Sequence, residues 1–223
     1  MGIRETTFTE GEYYHIYNRG VDKRNIFLDK YDFERFLESL EIFNQTENVG
    51  SIYENNLIID KTPGKPLVNI IAYCLNPNHF HLILEQSVDQ GVKKFMHRVC
   101  TGYSKYFNHR YERSGSLFQG RFKSSHVHDN DYLLHLSAYV NINYEVHGLG
   151  RRASKTSFDE YLSPEYGHPL CHKDIILDQF SYIQEYEVFA RESVLETIKS
   201  RADADDESGG FVLDAGRPSV GLV

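Results

Sequence analysis

The chain has 223 residues, a formal charge of −8, 40% hydrophobic and 25% charged residues, a balance that suits one sizeable core or two small ones and excludes a disordered or fibrous chain. There is no run of about eighteen apolar residues, and Met1 to Glu10 has neither an apolar leader core nor an Arg-rich transit composition. A soluble, cytoplasmic protein with no membrane partner is therefore expected. The cysteines Cys74, Cys100 and Cys171 are odd in number and lack CxxC spacing, which argues for buried thiols and against a disulfide framework or structural zinc.

Along the chain, Tyr13 to Arg19 is aromatic and β-branched and ends at Gly20, which predicts a first strand. Asp29 can cap a helix whose apolar residues Phe33, Phe36, Leu37, Leu40 and Phe43 follow the i, i+3, i+4, i+7 rule. Asn44 to Pro66 is polar and proline-bearing and reads as a loop with a weak strand around Ser51 to Tyr53. Leu67 to Leu75 and Phe80 to Glu85 read as strands meeting at the turn Asn76-Pro77-Asn78. Gly91 to Tyr111 is the clearest helix, with Val92, Phe95, Met96, Val99, Tyr103, Tyr106 and Phe107 on one stripe. Lys94, Arg98, Thr101 and Lys105 form a second, polar ridge. Leu117 to Val127 predicts a strand, and Asp129 or Asn130 caps a helix running to about Asn143 and stopping near Gly148. The order β-α-β-β-α-β-α predicts an α+β fold: a ferredoxin-like antiparallel sheet covered by helices.

After Gly150 the character changes, so three parts are expected: residues 1–150 as the main domain, 151–202 as a helical C-terminal extension and 203–223 as a flexible tail. Charge is uneven as well. Gly91 to Ser125 carries a net +7, whereas residues 151 to 223 carry −6. One basic region on an acidic chain can be the footprint of a polyanion, although a solvated helix face is the commoner meaning of such a run.

His79-Phe80-His81 opens a strand, and alternation turns both imidazoles to one face while Phe80 enters the core. A bare HxH is more often two solvent-facing histidines, and as a metal clamp it needs a third ligand from elsewhere. Tyr139 and Asn143 are four apart on the helix after Asp129, and Tyr132 and His135 share that face. Asn143 can offer an amide oxygen to a hard divalent ion, with Tyr139 within reach of what that ion holds. Arg121 and Lys123 alternate on one strand face and can hold phosphates. A second HxH, His126 and His128, reads as structural.

The segment Ala72 to Gln86, AYCLNPNHFHLILEQ, resembles the signature of the HUH-type single-tyrosine transposases, in particular their insertion-sequence and REP-associated members. YHIYNRGVDKRNIF, YSKYFNHRY, GSLFQGRFKSS and LSAYVNINY are similar to that family in the same order, over about Tyr13 to Gly148. The acidic helix Asp178 to Arg191 resembles a common C-terminal extension. Asn76 stands where many relatives have Met and, preceding the turn, is expected not to touch the metal.

The resemblance implies that His79 and His81 hold Mg²⁺ or Mn²⁺ with Asn143 as third ligand, and that Tyr139 is the nucleophile. It also implies single-stranded DNA, at hairpin ends, as substrate, a 5′-phosphotyrosine intermediate and strand transfer without ATP. Lys94, Arg98, Lys105, Arg121 and Lys123 are the expected DNA-binding residues. A homodimer is the expected assembly, with the tyrosine helix acting in cis or in trans. Two other readings stay open: a metal-dependent phosphohydrolase using water, and a domesticated DNA-hairpin-binding protein.

Overall fold

A computed structural model describes residues 6–50, 52–53, 64–163 and 169–208. Strands β1 (Tyr13–Arg19), β2 (Val68–Asn76), β3 (His79–Gln86), β4 (Lys123–Val127) and β5 (Lys155–Thr156) form one antiparallel sheet in the order β4-β1-β3-β2-β5. The first four give the ferredoxin-like 4-1-3-2 order expected from the element pattern. Helices α1 (Lys30–Ile42) and α2 (Gly91–Arg110) follow β1 and β3.

Asp29 caps α1 through its carboxylate, which accepts from Tyr31 N and Asp32 N. Phe36 of α1 stands 5.1 Å from the Phe80 ring of β3 and packs edge-on against Tyr103 of α2. Those helices therefore cover the sheet face that carries Phe80. The two helices are tied together by the fully buried Asp32 carboxylate. It accepts from Arg110 Nη1 (2.9 Å), Tyr111 Oη (2.9 Å), Tyr106 Oη (3.2 Å) and Leu28 N (2.8 Å). Its charge is thus both paired and hydrogen-bonded, as a buried ion must be.

The opposite face is covered by α3 (Asn130–Asn141), a single turn α4 (Asn143–Val146) and the C-terminal helix α7 (Ile183–Ser208). Between them lie the short helices α5 (Phe158–Leu162) and α6 (Asp174–Leu177). Residues after Gly150 extend the sheet, since β5 pairs with β2 at Cys74 and Leu75. A buried polar chain then fixes α7 to α3. Ser157 Oγ donates to Asn141 Oδ1 (2.5 Å), Asn141 Nδ2 donates to Tyr186 Oη (2.7 Å), and Ser137 Oγ lies 3.2 Å from the same oxygen.

Three elements differ from the sequence reading. Regular pairing in the expected strand Leu117 to Val127 begins only at Lys123, because Gly120 at φ 134 takes the chain out of the ladder after a single bridge at Phe118. Ile52 and Tyr53, expected in a weak strand, are helical; Ser51 lies outside the described residues. The helix expected to reach Asn143 ends at Asn141. Ile142, at φ −115 and ψ 18, breaks it, and Asn143 starts a separate turn that closes at Gly148 (φ 63). Helix α7 continues through Ser208, so residues 203–208, expected to begin a flexible tail, are helical, and the rest of that expected tail, from residue 209 onward, lies outside the described residues. No helix among the described residues is long and apolar enough to cross a membrane.

Tyr186→Phe deletes the hydroxyl that satisfies Asn141 and is expected to lower the unfolding free energy by about 1–3 kcal/mol. Urea denaturation followed by circular dichroism checks this.

Candidate active site

The site grows from the pairing of the two central strands. In the β1–β3 register Tyr17 stands opposite His81, Arg19 opposite His79 and His15 opposite Ile83. Cross-strand partners share a face, so His15, Tyr17, His79 and His81 all point away from α1 and α2. In the β2–β3 register Asn76 stands opposite His79 and Cys74 opposite His81.

Both histidines of the motif are held through Nδ1. His81 Nδ1 lies 2.9 Å from Nε2 of the buried His15, and the two rings stack with centroids 5.1 Å apart. His79 Nδ1 lies 2.6 Å from Asn78 Oδ1, whose own amide nitrogen donates to Lys23 O. A ring whose Nδ1–H is donated to a neighbour turns the Nε2 lone pair outward, the usual way of presenting imidazole to a metal.

His79, His81 and His147 bring one nitrogen each to within 4.8 Å of one another. Asn143 Oδ1 lies 3.4 Å from His79 Nε2. Imidazole nitrogens with an amide oxygen can together hold a divalent metal ion, so the residues fit a metal site. Tyr139 of α3 packs edge-on against His81 (centroids 5.8 Å) and His15 (6.3 Å). Its ring is only 2% exposed.

His79 and His81 open into a cavity of about 520 Å³, whose wall also includes Arg19, Lys23, Arg121 and Lys123. Lys123 Nζ sits 5.9 Å from the Tyr17 ring centre. A second concavity of about 550 Å³, with Lys93 and His97, adjoins it and shares Asn18 and Arg121. Of the five basic residues chosen from the sequence, Arg121 and Lys123 line the first cavity. The others lie elsewhere on α2. Arg98 donates to the carbonyls of Gln45 (2.5 Å) and Glu47 (2.7 Å), Lys94 donates to Thr46 O (2.6 Å), and Lys105 is exposed.

His135, expected on the Tyr139 face, hydrogen-bonds Ser193 Oγ at 2.8 Å and packs on Phe189 of α7. His126 and His128 pair with Glu12 (2.7 Å) and Asp129 (2.9 Å). Sequence reasoning missed His15, whose signal was its alternation with Tyr17 on β1, and His147, which follows a helix and carries no spacing signal. It also set Asn76 aside. In the structure the Asn76 amide lies 2.9 Å from His79 Nε2 and 2.7 Å from Asn143 Oδ1.

A family model described as "Transposase IS200 like" matches residues 11–143. The chain belongs to the IS200-like transposase family. That span holds both histidines of the motif, Tyr139 and Asn143, and membership makes this a DNA-cleaving type of enzyme. A solved REP-associated tyrosine transposase bound to a REP hairpin is similar in fold, with TM-score 0.51 and 14% identity over 76% of this chain and 90% of that one. No curated protein matches this chain.

His15→Phe keeps an aromatic ring at this position and removes the partner of His81 Nδ1. It is expected to weaken binding of Mn²⁺, used as probe ion, roughly ten- to hundred-fold. Calorimetric titration, with thermal melting to confirm folding, measures this.

Proposed function

We propose that this chain is a metal-dependent single-tyrosine transposase that cuts and rejoins single-stranded DNA at hairpin ends, acting in the cytoplasm. The observation that carries the reading is the convergence of His79, His81 and His147 beside Tyr139, in one chain, on the wall of a cation-lined cavity. The solved relative's bound REP hairpin supports the choice of substrate.

His79 and His81, with Asn143 or His147, would hold a divalent ion, Mg²⁺ or Mn²⁺, which would supply Lewis-acid polarisation of a phosphate oxygen. Arg121 and Lys123, with Arg19 and Lys23, hold neighbouring phosphates and offset the charge that develops on the scissile group. Tyr139 Oη attacks phosphorus. The phenol loses its proton, the new O–P bond joins the 5′ end to the protein, and the 3′ oxygen leaves and takes up a proton. The reverse step, with the 3′-hydroxyl of another strand, completes strand transfer without ATP.

Packing of Tyr139 against His81 of its own chain supports a site built in cis. The burial of the Tyr139 ring favours one second reading, a phosphohydrolase in which the histidine cluster serves a water nucleophile.

Tyr139→Phe is expected to fold and bind DNA yet give no SDS-resistant adduct with Mn²⁺ and hairpin-bearing single strands. Product release by this variant at the wild-type rate would establish water as the nucleophile. A mixture of His81→Ala and Tyr139→Phe chains is expected to stay inactive, and restored cleavage would mean a trans-sharing dimer. Binding should fall steeply with salt. Removing Arg121 or Lys123 should reduce the slope of log affinity against log salt by about one each, whereas Lys105→Ala should change it less.

A further inference from the structure

Asn76, the last residue of β2, is fully buried, and its amide stands among the groups assigned above to the metal. Nδ2 donates to Asn143 Oδ1 at 2.7 Å and lies 2.9 Å from His79 Nε2. Because Asn78 Oδ1 takes the His79 Nδ1 proton, His79 Nε2 is a lone pair. Two acceptors therefore converge on one NH₂ group. On its far side, Asn76 Oδ1 accepts from Ser154 Oγ at 2.7 Å and meets Cys74 Sγ at 3.6 Å.

The two sides of this amide have different requirements. A hydroxyl and a thiol can each donate or accept. The far side thus tolerates either orientation. The near side does not. Without a cation, His79 Nε2 and Asn143 Oδ1 need a donor between them, and with a cation they need a third acceptor.

The spacing fits that acceptor role. Ligand atoms bound at about 2.1 Å and at right angles stand about 3.0 Å apart. His79 Nε2, Asn143 Oδ1 and the near atom of the Asn76 amide are separated by 2.7, 2.9 and 3.4 Å.

We propose that Asn76 is a metal ligand: when a divalent cation binds, its amide turns over by about 180° about Cβ–Cγ, Oδ1 joins His79 and Asn143 on the ion, and Nδ2 donates to Ser154 Oγ. This rests on the metal-site reading above and adds a ligand to it. The NH₂ group holds the two acceptors apart from each other until the cation arrives, so the ligands are already placed before binding.

Full-length protein without DNA is titrated with Mn²⁺, free ion being read by electron paramagnetic resonance. Asn76→Met is expected to weaken binding roughly ten-fold, and Asn76→Asp, which keeps a ligand oxygen, to match or exceed wild type. Asn76→Met binding as tightly as wild type, or Asn76→Asp as weakly as Asn76→Met, overturns the proposal. His81→Ala separates the two levels. If it loses Mn²⁺ while Asn76→Met does not, only the Asn76 assignment fails; if it binds like wild type, the metal site itself fails and Asn76 with it. Should the variants not fold, a crystal structure of wild type with Mn²⁺ decides, with Asn76 Oδ1 at about 2.1 Å from the ion expected and an amide still donating to Asn143 contradicting it.

Discussion

The register of β1 against β3 is the constraint on which the site depends. With Tyr17 opposite His81 and Arg19 opposite His79, four ring-bearing or charged side chains of two strands face the same way. Phe80 and Leu82 face α1 and α2 instead. A slip of one residue would exchange these faces. It would bury two imidazoles among Phe36 and Tyr103 and turn phenylalanine into the cleft, so the apolar packing of Phe80 against Phe36 protects the histidine geometry as well as the core.

The turn between β2 and β3 adds a second layer. Asn76 and Asn78 flank Pro77, and their side chains do more than close a turn: Asn78 holds His79 through Nδ1, and Asn76 bridges His79 to Asn143. Buried polar groups must find partners, and here the partners are one another. The same rule governs the back of α3, where Asn141, Ser137, Ser157 and Tyr186 satisfy each other and fix the C-terminal helix to the helix that carries Tyr139. Residues after Gly150 thus contribute to the position of the tyrosine, through β5 and α7, and among the described residues none of them lines the cavity.

Electrostatics follow from which cations the fold uses internally. Arg110 is bound to Asp29 and Asp32, and Arg98 and Lys94 to carbonyls of the loop after α1. Much of the basic character of α2 is therefore spent on holding α1 and its loop. Arg121 and Lys123, close together after the Gly120 kink, join Arg19 and Lys23 around the cavity. A chain of net charge −8 can in this way present a positive wall to a phosphate backbone.

Periodicity was enough to read β1, α1, β2, β3 and α2 in the sequence, because their apolar residues repeat with the period of the element that buries them. The HxH pair, Tyr139 and Asn143 were legible from strand alternation, helical spacing and an ordered set of family motifs. The contacts between elements were not. His15 reaches His81 only because two strands distant in sequence pair in one register, and His147 reaches the cluster only because the helix breaks at Ile142 and a separate turn follows. Asn76 looked like a turn residue because its role depends on where Asn143 and Ser154 arrive from the other end of the chain. Local patterns encode which face a side chain takes, since that depends on its own backbone; which atoms meet across that face depends on the register and packing of other elements, and those are set when the whole sheet closes.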